Sequence, residues 1–460
     1  MDYQEALSWI MSFWELGRPK EEKALRHLKV PRMRRLLALL GSPHRKYPAV
    51  LVAGTKGKGS TVAFVAEGLR AAGFRVGRYT QPHLVDWRER TWVDGRWIDQ
   101  EAVADLVSRV KPAVEALHAE SPDLGAVTTY EVGTALTLSH FADQRVDVAV
   151  LEIGVGGRLD ALNAVEPVLS AVTSISLDHT DVLGETLREI ATEKAGIMRP
   201  GKPVVVAPQP LEAEITLRQV AAEKGATLYR VGREPGDRDW WWTEDPARRT
   251  IDIHGPWGEL RGVRVALLGD HQRDNATVAV ASLQLLREQG FRVPDEAIHR
   301  GLAGVEWPGR VQRLQSSPLV VVDAAHNRES ARRFLETIRK EFWYRRLILV
   351  FGASADKDIP GMAAELGPAA DELVVTGSGH RRAAGLDRLA AEFSPYGRVR
   401  QEAEPADAFR QALMLAHRDD LVLVTGSVFL AGRAIQTFGG RGMVTTRTRR
   451  TRRKRAESSE

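Results

Sequence analysis

Residues 51–61, LVAGTKGKGST, combine glycines, lysines and hydroxyl side chains in a pattern that can bind phosphate. An apolar run precedes this segment and a helical pattern follows it, which is the order strand, glycine loop, helix N-terminus. Backbone N–H groups in such a loop turn toward an anion, and the helix dipole adds positive potential. We expect Lys58 to reach the outer phosphates and Ser60 to bind Mg²⁺. The segment predicts use of ATP or GTP; the alternative is a glycine turn without a ligand.

The spacing of this loop differs from that of a standard Walker A motif. That motif has four residues between its first glycine and the Gly-Lys-Ser/Thr group. Here two residues separate Gly54 from Gly57, and Gly59 is inserted between Lys58 and Ser60. The chain therefore carries a shortened phosphate loop with one additional glycine.

Two further segments place polar side chains after apolar strands. Glu152 ends the run VDVAVLEIG, where a buried carboxylate needs a partner. Beside a phosphate loop it can hold Mg²⁺; the alternative is that it caps the following turn. His179 follows the strand of SISLDHTD and can be a metal ligand, although a single histidine is more often a hydrogen-bonded core residue. Lys194, from its local sequence alone, is interpreted as a surface salt-bridge residue.

The C-terminal part contains a second group of candidate residues. The run VVVDAAHN puts Asp323, His326 and Asn327 at the end of a strand, and WPGR contains Arg310. In parallel sheets, ligands bind at the C-terminal ends of the strands. We predict that Arg310 meets a nucleotide across a cleft on closure; the alternative is an inter-domain salt bridge.

Length and composition limit the class of protein. A chain of 460 residues with 43% apolar residues is expected to form at least two globular domains. Cysteine is absent, which excludes disulfides, thiolate metal sites and thioester chemistry. No apolar run is long enough to span a membrane, and the N-terminus lacks the pattern of a signal peptide. We expect a cytoplasmic protein with no membrane partner.

The net charge of +5 lies in one segment. Residues 447–460, RTRRTRRKRAESSE, carry seven Arg/Lys and two Glu, which gives 7 − 2 = +5 and leaves the rest of the chain near neutrality. We predict a disordered tail that binds polyanions nonspecifically or is simply solvated, and no specific nucleic-acid binding.

Strand-like and helical patterns alternate along the chain, which predicts an α/β fold with mostly parallel sheets. Candidate strands include residues 49–54, 146–154, 169–176 and 202–208. The predicted organisation is an ATP-binding domain over 1–305 with a small antiparallel β insert near 227–265, a doubly wound C-terminal domain over 306–440, and the tail 441–460. The insert contains Trp240, Trp241 and Trp242, for which packing is favoured over binding a ring.

Taken together, these segments resemble the folylpolyglutamate synthase and dihydrofolate synthase family of the Mur-ligase superfamily. The resemblance covers residues 1–440 and rests on GTKGKGST, TQPHL with RER, TTYE, LEIGVGGRLDALNAV, LDHTDVLGETLREIATEKAGI, GDHQRDNATVA, PGR, DAAHN and DKD. It implies a P-loop-type Mur-ligase central domain, a Rossmann-like C-terminal domain and an ATP-dependent amide ligase. The implied substrates are ATP, L-glutamate, and dihydropteroate or a reduced folate. We expect a monomer.

The resemblance also implies roles for individual residues. The ATP site comprises Gly57, Lys58, Gly59, Ser60, Thr61, Asn275, Arg310 and Asp323, with His326 beside it. The Mg²⁺ ligands, for two ions, are Ser60, Glu152, His179 and Lys194, with Lys194 carbamylated. The pterin-substrate region comprises Thr128, Thr129, Tyr130, Glu131, Leu159, Asp160 and Ala161. Lys58, Lys194, Asp323 and His326 are the expected catalytic group.

The chain departs from the family pattern at three places. Lys56 stands where the family usually has Asn, Gln81 replaces the usual Ser, and RER replaces Asn-Glu-Arg. The first bears on ATP affinity and the others on substrate preference. Two alternative functions stay open: a Mur-type ligase acting on a non-folate carboxylate, and a nucleotide-binding protein without ligase activity that meets RNA through its tail.

Overall fold

A computed structural model describes residues 1–13, 26–232, 239–380 and 382–439. The chain divides into two compact units. The first comprises Met1–Val311 and Asn327–Trp343, and the second comprises Gln312–His326 and the chain from Tyr344 onward. The predicted boundary between residues 305 and 306 stays a prediction about domains, and the predicted tail lies outside the described residues.

An 11-stranded sheet forms the framework of the first unit. Its strands are β1 Ala49–Ala53, β2 Val76–Tyr79, β3 Thr91–Val93, β4 Arg96–Trp97, β5 Val148–Glu152, β6 Leu169–Val172, β7 Pro203–Val206, β8 Thr227–Val231, β9 Asp239–Asp245, β10 Thr250–Gly255 and β11 Gly258–Val263. They lie in the order β11-β10-β9-β8-β7-β6-β1-β5-β2-β3-β4. Strands β9, β8, β7, β6, β1, β5 and β2 pair in parallel.

The central strands are buried on both faces. Along β1, Leu51 packs into one apolar cluster and its neighbours Val50 and Val52 into another, because successive side chains point to opposite faces. Buried parallel strands therefore appear in the sequence as unbroken apolar runs, which is why the predicted segments contain these strands. The α/β class with a mostly parallel sheet is confirmed.

The region 227–265 differs in its attachment from the predicted small insert. Strands β9, β10 and β11 are antiparallel to one another, as expected. However, β8 pairs in parallel with both β7 and β9, so this region extends the main sheet instead of forming a separate one. Trp240 is fully buried and donates from Nε1 to Gln284 at 2.8 Å, and Trp242 donates to Asp274 at 2.9 Å. Packing is thus the role of Trp240.

Helices flank this sheet along the chain. They are α1 Tyr3–Ser12, α2 Lys29–Leu39, α3 Lys58–Ala71, α4 Gln100–Glu120, α5 Thr129–Asp143, α6 Thr180–Leu183, α7 Leu187–Lys194, α8 Leu211–Lys224, α9 Asp270–Glu288, α10 Asp295–Ala303 and α11 Arg328–Glu341. Helix α3 packs closely on α10. A Cβ added at Gly301 would lie only 2.6 Å from the backbone of Gly68, so the contact leaves no room for a side chain there. Within the described ranges, no helix has the length and apolar character needed to cross a membrane.

The second unit has its own six-stranded sheet. Its strands are β12 Gln312–Ser316, β13 Leu319–Val322, β14 Leu347–Phe351, β15 Glu372–Thr376, β16 Val399–Glu402 and β17 Leu421–Thr425, and its helices are α12 Ile359–Leu366, α13 Leu386–Phe393, α14 Pro405–Leu415 and α15 Val428–Phe438. The order is β12-β13-β17-β14-β15-β16, parallel except for the β12 edge. This agrees with the predicted second α/β domain.

Candidate active site

The phosphate loop joins β1 to α3 and depends on two glycines. Gly54 and Gly57 have φ values of 143° and 90°, which strongly favour glycine. Neither position has room for a side chain: a Cβ would lie 1.8 Å from Thr173 Oγ1 at Gly54 and 2.3 Å from Asn275 Oδ1 at Gly57. The structure thus brings Asn275, on α9, directly to the loop.

Two lysine side chains point to the same carbonyl group in this loop. Lys58 Nζ donates to Gly54 O at 3.2 Å and approaches Thr55 O at 3.4 Å. Lys194 Nζ donates to Gly54 O at 2.8 Å from the end of α7. Lys194 is only 3% exposed, so its interpretation as a surface salt-bridge residue was wrong. Burial, reinforced by the positive charge of Lys58, holds the pKa of Lys194 well below its usual value.

Backbone packing between two motifs fixes Lys194 in this position. A Cβ at Gly157 would lie 2.8 Å from the carbonyl oxygen of Glu193, and one at Gly196 would lie 2.3 Å from Arg158 Cα. Arg158 N donates to Glu193 O at 2.7 Å, and its guanidinium pairs with the Glu193 carboxylate. The segments GVGGR and EKAG therefore interlock, which local sequence could not reveal.

Glu152 lies at the C-terminal end of β5, next to the phosphate loop. Its Oε2 accepts from the backbone N–H of Gln81 at 3.0 Å and would lie 3.3 Å from a Cβ at Gly59. The side chain is buried, and burial raises its pKa, although Lys58 and Arg310 act in the opposite direction. A main-chain N–H group therefore holds the carboxylate next to Gly59, the residue that precedes Ser60.

His179 lies on a turn that is tied to the loop through its neighbour. Lys56 Nζ forms an ion pair with Asp178 Oδ2 at 2.7 Å, and Asp178 Oδ1 accepts from His179 N at 3.0 Å. His179 has φ of 51° and precedes α6, with about half of its side chain exposed. Sequence reasoning left Lys56 unexplained because its partner is more than a hundred positions away.

The donor types around the loop suit a divalent cation held together with phosphate oxygens. Ser60 supplies a buried hydroxyl, Glu152 a carboxylate and His179 an imidazole. Among the described residues, no three His, Asp or Glu side chains cluster in a way that would hold a metal ion without other ligands. Mg²⁺ commonly takes few protein ligands and completes its shell with phosphate oxygens and water. The set therefore fits a cation that arrives with a nucleotide.

The predicted substrate residues divide into two groups. Thr128 and Glu131 form the capping box of α5, and Arg32 binds the Glu131 carboxylate through two hydrogen bonds of 2.7 and 2.9 Å. The side chains of Thr128 and Glu131 therefore cap the N-terminus of α5. In contrast, Tyr130 Oη donates to Asp160 Oδ1 at 2.7 Å, near Gln81, which a Cβ at Gly154 would approach to 2.8 Å.

Asp160 orders the turn that follows β5. Its Oδ2 accepts from Gly154 N at 3.1 Å, and its Oδ1 accepts from Leu162 N at 2.9 Å. Burial raises the pKa values of both Asp160 and Tyr130. Leu159 is half-buried and Ala161 is buried beside it, and Thr129 is buried in the first turn of α5. These residues place aromatic and polar groups close to Gln81, which holds Glu152.

The remaining predicted nucleotide contacts belong to different units. Arg310 is half-buried in the first unit. Burial raises the pKa of Glu152 and lowers the pKa of His271, and the charge of Arg310 acts to lower both. Asp323 and His326 belong to the second unit, at the C-terminal end of β13. There, Asp323 Oδ1 accepts from Ala325 N at 2.8 Å. Their roles stay predictions.

A cavity of about 1050 Å³ opens in the first unit beside the phosphate loop. Ser174 and Asn275, which both contact the loop, lie in its wall. Cationic and anionic side chains both line the cavity, among them Arg230, Arg333 and Asp274. Its volume is that of a small-molecule site.

Comparison with known proteins defines the class. The Mur ligase middle domain matches residues 100–283, and the Mur ligase glutamate ligase domain matches residues 309–428. Together with the phosphate loop and the two α/β sheets, these matches make the chain a Mur-type ligase.

Relatives define the family within that class. The chain is 34% identical over 432 residues to a dihydrofolate synthase/folylpolyglutamate synthase of Bacillus subtilis, covering 93% of this chain and 97% of that protein. It is 40% identical over 442 residues to a probable bifunctional folylpolyglutamate synthase/dihydropteroate synthase of Halobacterium salinarum, covering 94% of this chain but only about half, 51%, of that protein. The chain belongs to the folylpolyglutamate synthase/dihydrofolate synthase family.

Solved structures show the same fold. Escherichia coli FolC in complex with DHPP and ADP is 31% identical, with a TM-score of 0.83 and coverage of 96% of this chain and 98% of that one. A bifunctional folylpolyglutamate synthase/dihydrofolate synthase with Mn, AMPPNP and L-glutamate bound is 32% identical, with a TM-score of 0.77 and coverage of 89% and 94%. The predicted two-domain Mur-ligase architecture is confirmed.

Proposed function

We propose that this chain is an ATP-dependent amide ligase that joins L-glutamate to dihydropteroate, to the glutamate of a reduced folate, or to both. The observation that carries the proposal is the meeting of three separate motifs at one loop: Lys194 Nζ binds Gly54 O, and Glu152 lies against Gly59. The B. subtilis relative and the structures with ADP, DHPP, AMPPNP and L-glutamate support the substrate classes.

The proposed reaction has two steps. A carboxylate oxygen of the acceptor attacks the γ-phosphorus of ATP, ADP leaves, and an acyl phosphate forms. The amino group of L-glutamate then attacks the acyl carbon, loses a proton, and the tetrahedral intermediate releases phosphate to give the amide. Lys58 and the N–H groups of the loop offset charge on the transferring phosphoryl group.

Ser60, Glu152 and His179 would hold Mg²⁺ at this loop. When bound, the cation neutralises charge on the phosphoryl oxygens. For Lys194 we propose carbamylation: the buried amine, in its unprotonated form, attacks CO₂, loses a proton and becomes an anionic group. The low pKa of Lys194 supports this because only the neutral amine is nucleophilic.

Asn275 and Arg310 are proposed nucleotide contacts, and Asn275 already lies against the phosphate loop at Gly57. Asp323 and His326, which belong to the second unit, are proposed as a further nucleotide contact and a catalytic residue. The cavity beside Ser174 and Asn275 offers space for the nucleoside. We propose that the chain acts as a cytoplasmic monomer.

An acceptor panel tests the function. Purified protein with ATP, Mg²⁺ and L-glutamate is offered dihydropteroate, a reduced folate or a UDP-linked precursor, and products are identified by mass spectrometry. We expect a product one glutamate heavier from dihydropteroate, the reduced folate or both. Folded, ATP-binding protein that modifies only the UDP-linked precursor, or nothing, would refute the proposal.

Two variants test the site assignment. We expect Lys58→Ala and Glu152→Ala each to lower kcat by about 100-fold or more, because the first removes a cation that offsets phosphoryl charge and the second removes a carboxylate that would hold Mg²⁺. Arg35→Ala is the control, since Arg35 is an exposed residue paired with Glu120. Near wild-type rates in both site variants, with intact folding by circular dichroism, would disprove the assignment.

A further inference from the structure

The phosphate loop is joined to the segment 174–178 by a series of short contacts. The backbone N–H groups of Thr55 and Lys56 both donate to Ser174 O, at 2.9 and 3.3 Å. Thr55 Oγ1 donates to Ser176 O and accepts from Ser176 N, each at 3.2 Å. The two segments therefore form one unit up to Ser176, and the chain then turns toward Asp178 and His179.

Beyond Ser176, an ion pair between side chains links this turn back to the loop. Lys56 Nζ lies 2.7 Å from Asp178 Oδ2, and the two side chains are only 16% and 20% exposed. Partial burial strengthens such a pair because water screens it less. The other oxygen of the same carboxylate accepts from the backbone N–H of His179, so Lys56 acts on the residue that orients the imidazole.

His179 needs such support for a conformational reason. Its φ of 51° is uncommon for a residue other than glycine, and such a conformation is strained unless the surroundings hold it. An Asn at position 56 has neither the charge nor the length of Lys56. The ion pair therefore depends on having lysine at position 56.

We propose that Lys56 is a positioning residue that clasps the Asp178–His179 turn to the phosphate loop, so that His179 and Ser60 face the same cation. The inference rests on the proposed function for its metal. Lys56 does not act on the substrate; it acts through Asp178. Its loss is expected to loosen the turn and to weaken metal affinity while leaving the loop contacts made by Thr55 in place.

Two measurements without turnover test the clasp. Lys56→Met keeps most of the side-chain length and removes the charge. We expect amide hydrogen exchange in residues 177–183 to become about three- to tenfold faster in the ligand-free protein, while exchange in β14 stays unchanged. With AMPPNP present, we expect the Mn²⁺ affinity measured by electron paramagnetic resonance to fall about tenfold.

Companion variants separate the clasp from a general loss of structure. Lys56→Arg keeps the charge and is expected to restore slow exchange and Mn²⁺ affinity, whereas Lys56→Asn is expected to behave like Lys56→Met. Asp178→Asn should match Lys56→Met, and the double variant should lose no more than either single one.

Unchanged exchange in Lys56→Met would overturn the proposal, and so would faster exchange with unchanged Mn²⁺ affinity. Additive losses in the double variant would also contradict it. The proposed ligase function fails separately, when the wild-type chain forms no glutamylated product although exchange and Mn²⁺ binding respond to Lys56 as expected.

Discussion

At the scale of single residues, the site buries ionisable side chains at positions where the proposed chemistry needs them, although burying them is unfavourable. Lys194 is a buried amine with a lowered pKa, and it donates a hydrogen bond to the Gly54 carbonyl group, to which Lys58 also donates. Glu152 is a buried carboxylate with a raised pKa. Each group destabilises the folded chain in its charged form, and such costs concentrate at functional sites.

Lys194→Met is expected to abolish ligation and to stabilise the fold by about 1 kcal/mol near neutral pH. The folded wild-type chain binds fewer protons than the unfolded chain between the lowered pKa and 10.5, so its stability rises with pH in that window. The advantage of the variant should therefore shrink as pH rises. Urea unfolding in CO₂-free buffer at several pH values measures this, and equal stability at every pH would contradict it.

Gly59 and Gly133 form a matched pair of helical glycines. A Cβ at Gly59 would lie 2.9 Å from Trp307 and 3.3 Å from the Glu152 carboxylate, whereas at Gly133 the nearest atom is Trp87 Cζ2 at 3.6 Å. We expect Gly59→Ala to raise the KM for ATP about tenfold or more by displacing Glu152 or Trp307. Gly133→Ala should keep the wild-type KM. Steady-state kinetics decide, and similar KM values in both variants would refute the steric argument.

At the scale of elements, the strands and the phosphate loop followed from the sequence because buried parallel strands and glycine loops have local signatures. The attachment of β8 and β9 to the main sheet could not be predicted in this way, since the pairing of edge strands depends on partners that are distant in sequence. The burial of Lys194 was likewise invisible in α7 and entered only through family resemblance. Its position depends on contacts with the turn after β5.

The contact between α3 and α10 gives a prediction for helix packing. Gly301→Ala would place a methyl group 2.6 Å from the backbone of Gly68, which cannot rotate away as a side chain can. We expect a loss of about 1–3 kcal/mol in the free energy of unfolding. Gly133→Ala is the control and should gain stability, since alanine favours helix interiors. Denaturant melts of both variants check this; equal stability of Gly301→Ala and wild type would show that the helices separate at no cost.

At the scale of the whole molecule, the predicted site residues are distributed over two units. The phosphate loop, Glu152 and Lys194 belong to the first, and Asp323 and His326 to the second. The alternation of strands and helices predicted both α/β sheets. The assignment of Asn327–Trp343 to the first unit has no local sequence signal, because it depends on how α11 packs.

The charge distribution gives a prediction for the full chain. Residues 447–460 carry the whole net charge of +5, so a chain that ends at residue 440 should lose salt-sensitive binding to heparin. We expect its ligase rate to equal that of the full chain. Heparin chromatography and the acceptor assay measure both properties. A loss of ligation on truncation, with folding intact, would show that the basic segment serves catalysis.

The hydrogen bond from Gln81 N to Glu152 has a consequence for how this enzyme can evolve. The donor is main chain, so every residue type except proline supplies it at this position. The side chain of residue 81 can therefore change under selection for a new acceptor without removing the main-chain hydrogen bond to Glu152. Substrate choice and phosphoryl chemistry can diverge independently at a single position.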